Sequence, residues 1–380
     1  MHFKLSEEQE MVQKAIRDFA LSECAPGAAE RDEHEIWPID AVKQLGELGF
    51  LGVTTPVEYG GAGLDMISYA ITVEELARVD ASTAIIVSVQ NSLLDYPLEL
   101  FGTEEQKQEF LVPLASGKRI GAFALTEPES GSDAGAMKTT AVRDGDHWVL
   151  NGTKNFITTG SNADVVIVVA VTDASKGSKG TSAFIVEKTA PGFTVGKKEN
   201  KLGIRATDTV QLNFQDCRIP HSNMLSQEGK GFKIALTALN SGRIGVASQA
   251  LGIAQGAFDE AVKYSQERHQ FGKPLSHFEA TRFKIARMAT EISAGRFLLY
   301  NAADKKDRHE SFVSEAAMAK LYCSELAVRT ALEAVQIHGG YGYIKEYPVE
   351  RYLRDAKVTT IYEGTNEVMH LVIADQIYSR

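Results

Sequence analysis

The hydrophobic period changes twice along this chain, and nothing else in the sequence constrains its fold as strongly. Up to about residue 120, apolar side chains recur at helical spacing. Ser6 and Gln9 form a capping-box pattern ahead of Val12, Ile16 and Phe19, and Thr103 with Gln106 repeats it ahead of Phe110 and Leu111. Ser68 to Val79 and Ser82 to Phe101 carry two further helical stretches between them. Past Gly121 the texture turns to short β-branched runs. These are His147 to Leu150 after an Asp144-Gly145 turn, Val165 to Val171, Ala183 to Val186, and the period-two alternation of Val210 to Phe214. Gly and Ser cluster between the runs, as at Ser175 to Gly180. From Gly229 the helical period returns, with Ile244, Ala247, Leu251, Ala254, Phe258 and Ala261 at steps of three and four. Ile285, Met288, Ile292 and Leu299 mark a second long helix, Leu321, Val328, Leu332 and Val335 a third, and Asn366 to Tyr378 a short last one. Long helices joined by short loops predict an antiparallel bundle. There is no internal repeat and no low-complexity segment.

The 380 residues suffice for two or three cores. A formal net charge of -10 argues against nucleic acid or an anionic membrane as a partner. Cys24, Cys217 and Cys323 are far apart and form no Cys-x-x-Cys pair, so neither a disulfide framework nor a zinc site is expected. Met1 to Glu10 lacks the apolar core of a secretory signal, and Val165 to Val171 is too short to span a bilayer. A cytoplasmic protein is expected, or a mature organelle form such as one from the mitochondrial matrix.

Four segments carry more than fold maintenance requires. Phe123-Ala124-Leu125-Thr126-Glu127-Pro128-Glu129-Ser130-Gly131-Ser132-Asp133 offers Gly and hydroxyl side chains that let backbone N–H groups approach a ligand, although a plain turn has the same composition. Asn155-Phe156-Ile157-Thr158-Thr159-Gly160 ends a β run with an aromatic and a hydroxyl that suit a planar ring and its edge. In Tyr264 to Leu275, Arg268 ends a helix before Gly272-Lys273-Pro274, where it can reach a phosphate or simply complement the helix dipole. Gln336-Ile337-His338-Gly339-Gly340-Tyr341-Gly342-Tyr343 precedes the fourth cluster, Tyr362-Glu363-Gly364-Thr365-Asn366-Glu367. A lone Glu363 in that place is also accounted for as an anion capping the last helix.

Together, in order and spacing, these segments resemble the acyl-CoA dehydrogenase family over essentially the whole chain, and most nearly its short-chain, butyryl-type members. The resemblance implies an α+β multidomain fold: an N-terminal helical domain over 1–120, a middle β-barrel or sandwich domain over 121–228, and a C-terminal four-helix bundle over 229–380. It implies FAD, an acyl-CoA substrate, a homotetramer built as a dimer of dimers, and an electron-transferring flavoprotein as acceptor in fatty acid β-oxidation. Glu363 matches the family's base, which takes the α-proton while the β-hydrogen leaves as hydride. Phe123, Leu125, Thr126, Gly131, Ser132, Phe156, Ile157 and Thr158 match flavin-binding positions. Arg268, Phe271, Glu279, Gln336, Ile337, Gly339 and Gly340 match positions at a neighbouring subunit's FAD, and Thr365, Asn366 and Glu367 contact FAD from the last helix. Ser132, Asn240, Arg243 and Gly364 match positions at the CoA ester. Some members place the base one residue before the matching Arg; here that residue is Gly242, which leaves Glu363. Three positions depart from the family pattern: Asn240 stands for the usual Asp, Glu279 for Gln, and Phe156 for Trp.

Alternatives within the family are a medium-chain dehydrogenase, an enoyl-CoA reductase running in reverse, or a longer-chained oxidase relative. A silent scaffold is the distant one. The step Glu367-x-x-His370 has the form of a di-iron ligand pair, but no second such step exists, so no metal is expected. Gly61-Ala62-Gly63 lacks the third glycine and the strand of a nicotinamide fingerprint.

Overall fold

The computed structural model describes residues 4–379. Eight short to medium helices come first: α1 (Glu7–Phe19), α2 (Ala28–His34), α3 (Ile39–Glu47), α4 (Met66–Ala77), α5 (Ala81–Val89), α6 (Tyr96–Phe101), α7 (Glu104–Gln106) and α8 (Val112–Ala115). Both capping boxes form, Ser6 with Gln9 on α1 and Thr103 with Gln106 on α7. Between α5 and α6 the chain widens into a π-turn, Gln90–Asp95, whose residues are all buried. Its amides tie the domain together. Gln90 accepts from Gly121 N at 3.0 Å and donates to the Leu114 carbonyl at 3.0 Å, and Asn91 accepts from Val53 N at 2.6 Å.

The middle region is a sheet of β1 (Gly121–Ala124), β2 (Thr140–Asp144), β3 (His147–Thr158), β4 (Val165–Val171), β5 (Thr181–Glu187), β6 (Phe193–Lys198), β7 (Thr209–Pro220) and β8 (Met224–Leu225). Its order is β6-β7-β3-β2-β4-β5-β8, with β1 parallel to β4. The unbroken apolar run of β4 follows from burial on both faces. Val166, Val168 and Ala170 pack inside the β domain with Phe184 and Trp148, while Val165, Ile167 and Val169 join the large helical core. β3 and β7 do not keep one register along their length. Between the pairs Lys154↔Leu212 and Ile157↔Val210, β3 carries one residue more than β7. This bulge puts Phe156 at φ 58 and turns its ring outward.

The C-terminal region contains α9 (Gly231–Glu267), a small hairpin of β9 (His269–Gln270) and β10 (Lys273–Pro274), α10 (Glu279–Asp307), α11 (Val313–His338), α12 (Val349–Val358) and α13 (Asn366–Tyr378). α9 is the axis of the molecule, buried through most of its central turns against α4, α5, α10 and α11. A single apolar core runs from Ile16 in α1 through Ile71 and Ile244 to Leu326 in α11, so the helical regions share one interior. Across it the buried Glu74 carboxylate of α4 pairs with Arg296 of α10. α12 stands outside the helices expected from the sequence, although Val349, Tyr352, Leu353 and Ala356 recur at helical spacing along it. Among the described residues no helix is long and apolar enough to cross a membrane.

Candidate active site

The site is built around a strained turn. Tyr362, Glu363 and Gly364 lie between α12 and α13, and Glu363 and Gly364 are consecutive left-handed residues at φ 53 and 93. Glycine adopts such a conformation freely, but glutamate does so at a cost that surrounding contacts must offset. Those contacts are present. Thr365 caps α13 by accepting from Val368 N at 3.3 Å, and Asn366 N donates to the Thr360 carbonyl at 3.1 Å. The Tyr362 hydroxyl bonds Gln249 of α9, and the buried Lys320 ammonium of α11 donates to the Gly364 carbonyl at 2.8 Å.

The turn aims the Glu363 carboxyl at α9. Gly242 makes room for it, since a Cβ there would stand 1.9 Å from Oε2. Oε2 is buried and has no hydrogen-bond partner. Burial pushes the carboxyl up to about 8, against the pull of Arg243 and Lys320. Arg243, one residue beyond Gly242, donates from NH1 to Asn240 Oδ1 at 2.7 Å and leaves a buried Nε unpaired. Burial pushes the Arg243 guanidinium down and the Lys320 ammonium down to about 8. Two cations and one carboxylate thus meet where water is scarce.

In front of Glu363 opens a cavity of about 470 Å³. It gathers Phe123, Leu125, Thr126, Gly131, Ser132, Phe156, Ile157, Thr158, Arg243, Glu363 and Gly364, residues drawn from three regions of the chain. Ile85 and Val89 of α5 and Leu93 of the π-turn add apolar surface to its wall. The two loops of the β domain are locked to each other: Lys154 Nζ, fully buried, donates to Glu127 Oε1 at 2.7 Å and to the Leu125 carbonyl at 2.9 Å. Asn240 lines an adjoining groove with Phe232 and Leu236.

Other predicted residues lie elsewhere. Arg268, Ile337, Gly339 and Gly340 line a second cavity of about 390 Å³ with Tyr264 and Tyr341. Phe271, at φ 51, projects from the β9–β10 hairpin with 93% of its surface exposed. Gln336 is exposed on the last turn of α11 and Glu279 on the first turn of α10. Glu367 is exposed, whereas Asn366 is buried, its Oδ1 accepting from Lys320 at 2.9 Å and Ser324 at 3.0 Å. Asn366 therefore anchors the turn with its side chain rather than facing the cavity. Sequence reasoning missed Lys320 and Gln249. The signal for Lys320 was a charge on the face of α11 that carries Cys323, Ser324 and Ala327, all buried. Among the described residues no group of three His, Cys, Asp or Glu side chains could hold a metal ion.

This arrangement can be set beside known proteins. Residues 6–118, 122–217 and 229–378 match the patterns described as the acyl-CoA dehydrogenase N-terminal, middle and C-terminal domains. The chain belongs to the acyl-CoA dehydrogenase family. It is 51% identical over 378 residues to the "Acyl-CoA dehydrogenase, short-chain specific" of Clostridium acetobutylicum, covering 100% of each chain. Its fold superposes with a TM-score of 0.98 on butyryl-CoA dehydrogenase from Megasphaera elsdenii, at 49% identity and 100% coverage of both chains. A chain in the structure described as the electron transferring flavoprotein of Acidaminococcus fermentans matches at a TM-score of 0.99, 50% identity and 100% coverage of both. The acyl-CoA dehydrogenase fold is thus present in full, and this member is an FAD-dependent oxidoreductase.

The residues present fit FAD. Phe156 offers a ring that is 62% exposed beside the cavity mouth, and Thr158 and Thr126 bring hydroxyls to the same wall. Nothing lies within 4 Å of where a Cβ of Gly131, Gly339 or Gly340 would stand, so backbone faces both cavities directly.

Proposed function

We propose that this enzyme oxidises a short-chain acyl-CoA to the trans-2-enoyl-CoA, with Glu363 as the base. One observation carries the reading: Glu363 Oε2 is buried, without a hydrogen bond, at the edge of a cavity large enough for a thioester. An α C–H bond is a weak acid, and a carboxylate deprived of water and of donors is a far stronger base than one in solution. A pKa of about 8 matches that task near neutral pH. Arg243 and Lys320 keep the ionised form accessible. FAD, when bound, supplies the hydride acceptor.

The remaining assignments extend this reading by the family resemblance. Phe123, Leu125, Thr126, Gly131, Ser132, Phe156, Ile157 and Thr158 would hold the flavin end of FAD, Thr365 and Glu367 its approach from α13, and Ser132, Arg243 and Gly364 the thioester. The Glu363 N–H would donate to the developing enolate oxygen. Ile85, Val89 and Leu93 set the depth of the acyl pocket, in keeping with relatives named for short-chain acyl-CoA. Arg268, Phe271, Gln336, Ile337, Gly339 and Gly340 serve a second copy's cofactor, within a homotetramer. The exposed Phe271, Phe283 and Tyr343 supply apolar surface for such an assembly. An electron-transferring flavoprotein is the acceptor, a reading supported by the Acidaminococcus match.

Glu363→Gln tests the base. The variant is expected to keep FAD and fold while turnover of butyryl-CoA with a dye acceptor falls by about 10²–10⁴-fold. Activity above a tenth of normal overturns the assignment. A ladder of acyl-CoA lengths, with kcat/KM greatest at four carbons, tests the substrate.

A further inference from the structure

Lys320 is fully buried, yet no carboxylate bonds it. Its ammonium donates to two neutral acceptors, the Gly364 carbonyl at 2.8 Å and Asn366 Oδ1 at 2.9 Å. Ser324, one turn further along α11, donates to the same Asn366 oxygen at 3.0 Å and fixes its orientation. A buried cation held only by neutral oxygens is costly, and such a site persists where the charge does something for a neighbour. The neighbour here is the left-handed turn that carries the base. Gly364 is bonded to Glu363, and its carbonyl is the only point at which α11 grips that turn's backbone in the hydrogen bonds of the described residues.

The groups facing Glu363 come from every element packed on it. Arg243 approaches from α9, Lys320 from α11, and the phenols of Tyr69 and Tyr362 from α4 and the turn itself. Glu367 of α13 faces Lys320 from the solvent side. Arg243 is a cavity-lining residue, whereas Lys320 sits behind the turn and outside the cavity wall. The two cations therefore act from opposite sides, one where substrate binds and one where it cannot reach.

We propose that Lys320 is the positioning residue of this active site: from behind the turn its buried ammonium pins the Gly364 carbonyl and Asn366, and its field keeps the Glu363 carboxyl ionisable. This rests on Glu363 being the base. The charge of Lys320 is a favourable influence on the ionised form of Glu363, second to that of Arg243. Lys320 touches no substrate, so its removal reaches the thioester only through the Glu363-Gly364 turn that it pins.

The test uses the holoenzyme, reading kcat/KM for butyryl-CoA against pH with a dye acceptor. Lys320→Met is expected to shift the rising limb of the profile upward by a pH unit or more, cut the rate at pH 7 at least tenfold, and leave KM within a few-fold. Lys320→Gln keeps a donor for the Gly364 carbonyl but no charge. It should shift the limb as far while losing less of the high-pH plateau, and it stands in if the methionine variant does not fold. Asn366→Ala keeps the charge and should lower the plateau without moving the limb. An unmoved limb in the Lys320 variants overturns the proposal, and so does equal displacement in Asn366→Ala. Glu363→Gln, assayed alongside, separates the two claims: if it retains turnover, the base assignment has failed; if it is dead and the limb does not move, only the role of Lys320 has.

Discussion

Two glutamates, Glu363 on the cavity wall and Glu127 next in sequence to the wall residue Thr126, each have a buried lysine nearby, and their chemistry is opposite. Glu127 accepts from Lys154 Nζ at 2.7 Å, from Lys138 N at 2.6 Å and from Thr139 N at 3.0 Å. Burial pushes its carboxyl up, but the charge of Lys154 and these donors more than offset that and hold it below the usual range. Glu363 has two cations in view, yet Oε2 has no donor, and desolvation lifts its carboxyl to about 8. Glu127 has a directly bonded ammonium and two backbone donors to set against its burial, and Glu363 Oε2 has neither. A carboxylate saturated with donors is a structural tie; one stripped of them is a reagent.

The same Glu→Gln change should therefore act in opposite directions at the two positions. Glu127→Gln leaves the Lys154 ammonium buried without its partner and should cost about 3–5 kcal/mol in chemical denaturation, as should Lys154→Met, which strands the carboxylate. Glu363→Gln should cost nothing. Its stability advantage should instead grow with pH. The folded-state pKa of about 8 lies above the ordinary 4.5, so the native state holds a proton that the unfolded chain releases. Wild-type stability then falls as pH rises from about 4.5 to about 8 and stays lower beyond it. Thermal melts of the apo-protein across that window check this, and a constant gap between wild type and Glu363→Gln would erase the contrast between the two carboxylates.

Gly242→Ala probes the space that Glu363 needs. A methyl within 1.9 Å of Oε2 must displace the carboxyl, because the helix backbone of α9 cannot yield. A displacement of about 1 Å should lower kcat/KM by about 10²-fold. The fold should survive, since alanine is the better helix former by about 1 kcal/mol. Among the described residues no glycine stands where an added methyl would meet Glu127, whose alignment depends on its donors.

The catalytic pH profile is a milder test. With the base at about 8, kcat/KM of the free enzyme should rise with pH through that value and level off above it. A rising limb near 4.5 would mean that Glu363 is solvated like an ordinary surface carboxylate.

Much of this molecule was legible in the sequence because hydrophobic period reports burial. The 37 residues of α9 and the twice-buried strand β4 each announce themselves in that way. Glu363 was legible only through the family resemblance, since its place before Gly364 and Thr365 equally suits an anion capping the last helix. What escaped was long-range pairing. Lys320 reads like any helical lysine until Gly364, 44 positions away, is brought to its Nζ. α12 is short, and its narrow apolar face of Val349, Tyr352, Leu353 and Ala356 is set among charges such as Arg354, bonded to Asp32 at 2.6 Å and to Glu350. The π-turn at Gln90–Asp95 and the bulge in β3 are shifts of one residue, to which periodicity over a short window is blind.

The smallest effect is expected at Phe156, where that bulge turns an aromatic ring to the surface. A ring that is 62% exposed adds little to the core, so Phe156→Ala should change apo-protein stability by no more than about 0.5 kcal/mol. The ring's value lies in what it covers. Loss of FAD on dilution, tracked by the recovery of free-flavin fluorescence, should be several-fold faster in the variant. Glu127→Gln should also loosen FAD, but only together with a loss of fold stability, because the loop it ties is part of the β domain's structure. If Phe156→Ala retained FAD as wild type does, the ring would be no part of the flavin site. The bulge that presents it would then need a different occupant, such as the surface of the electron acceptor.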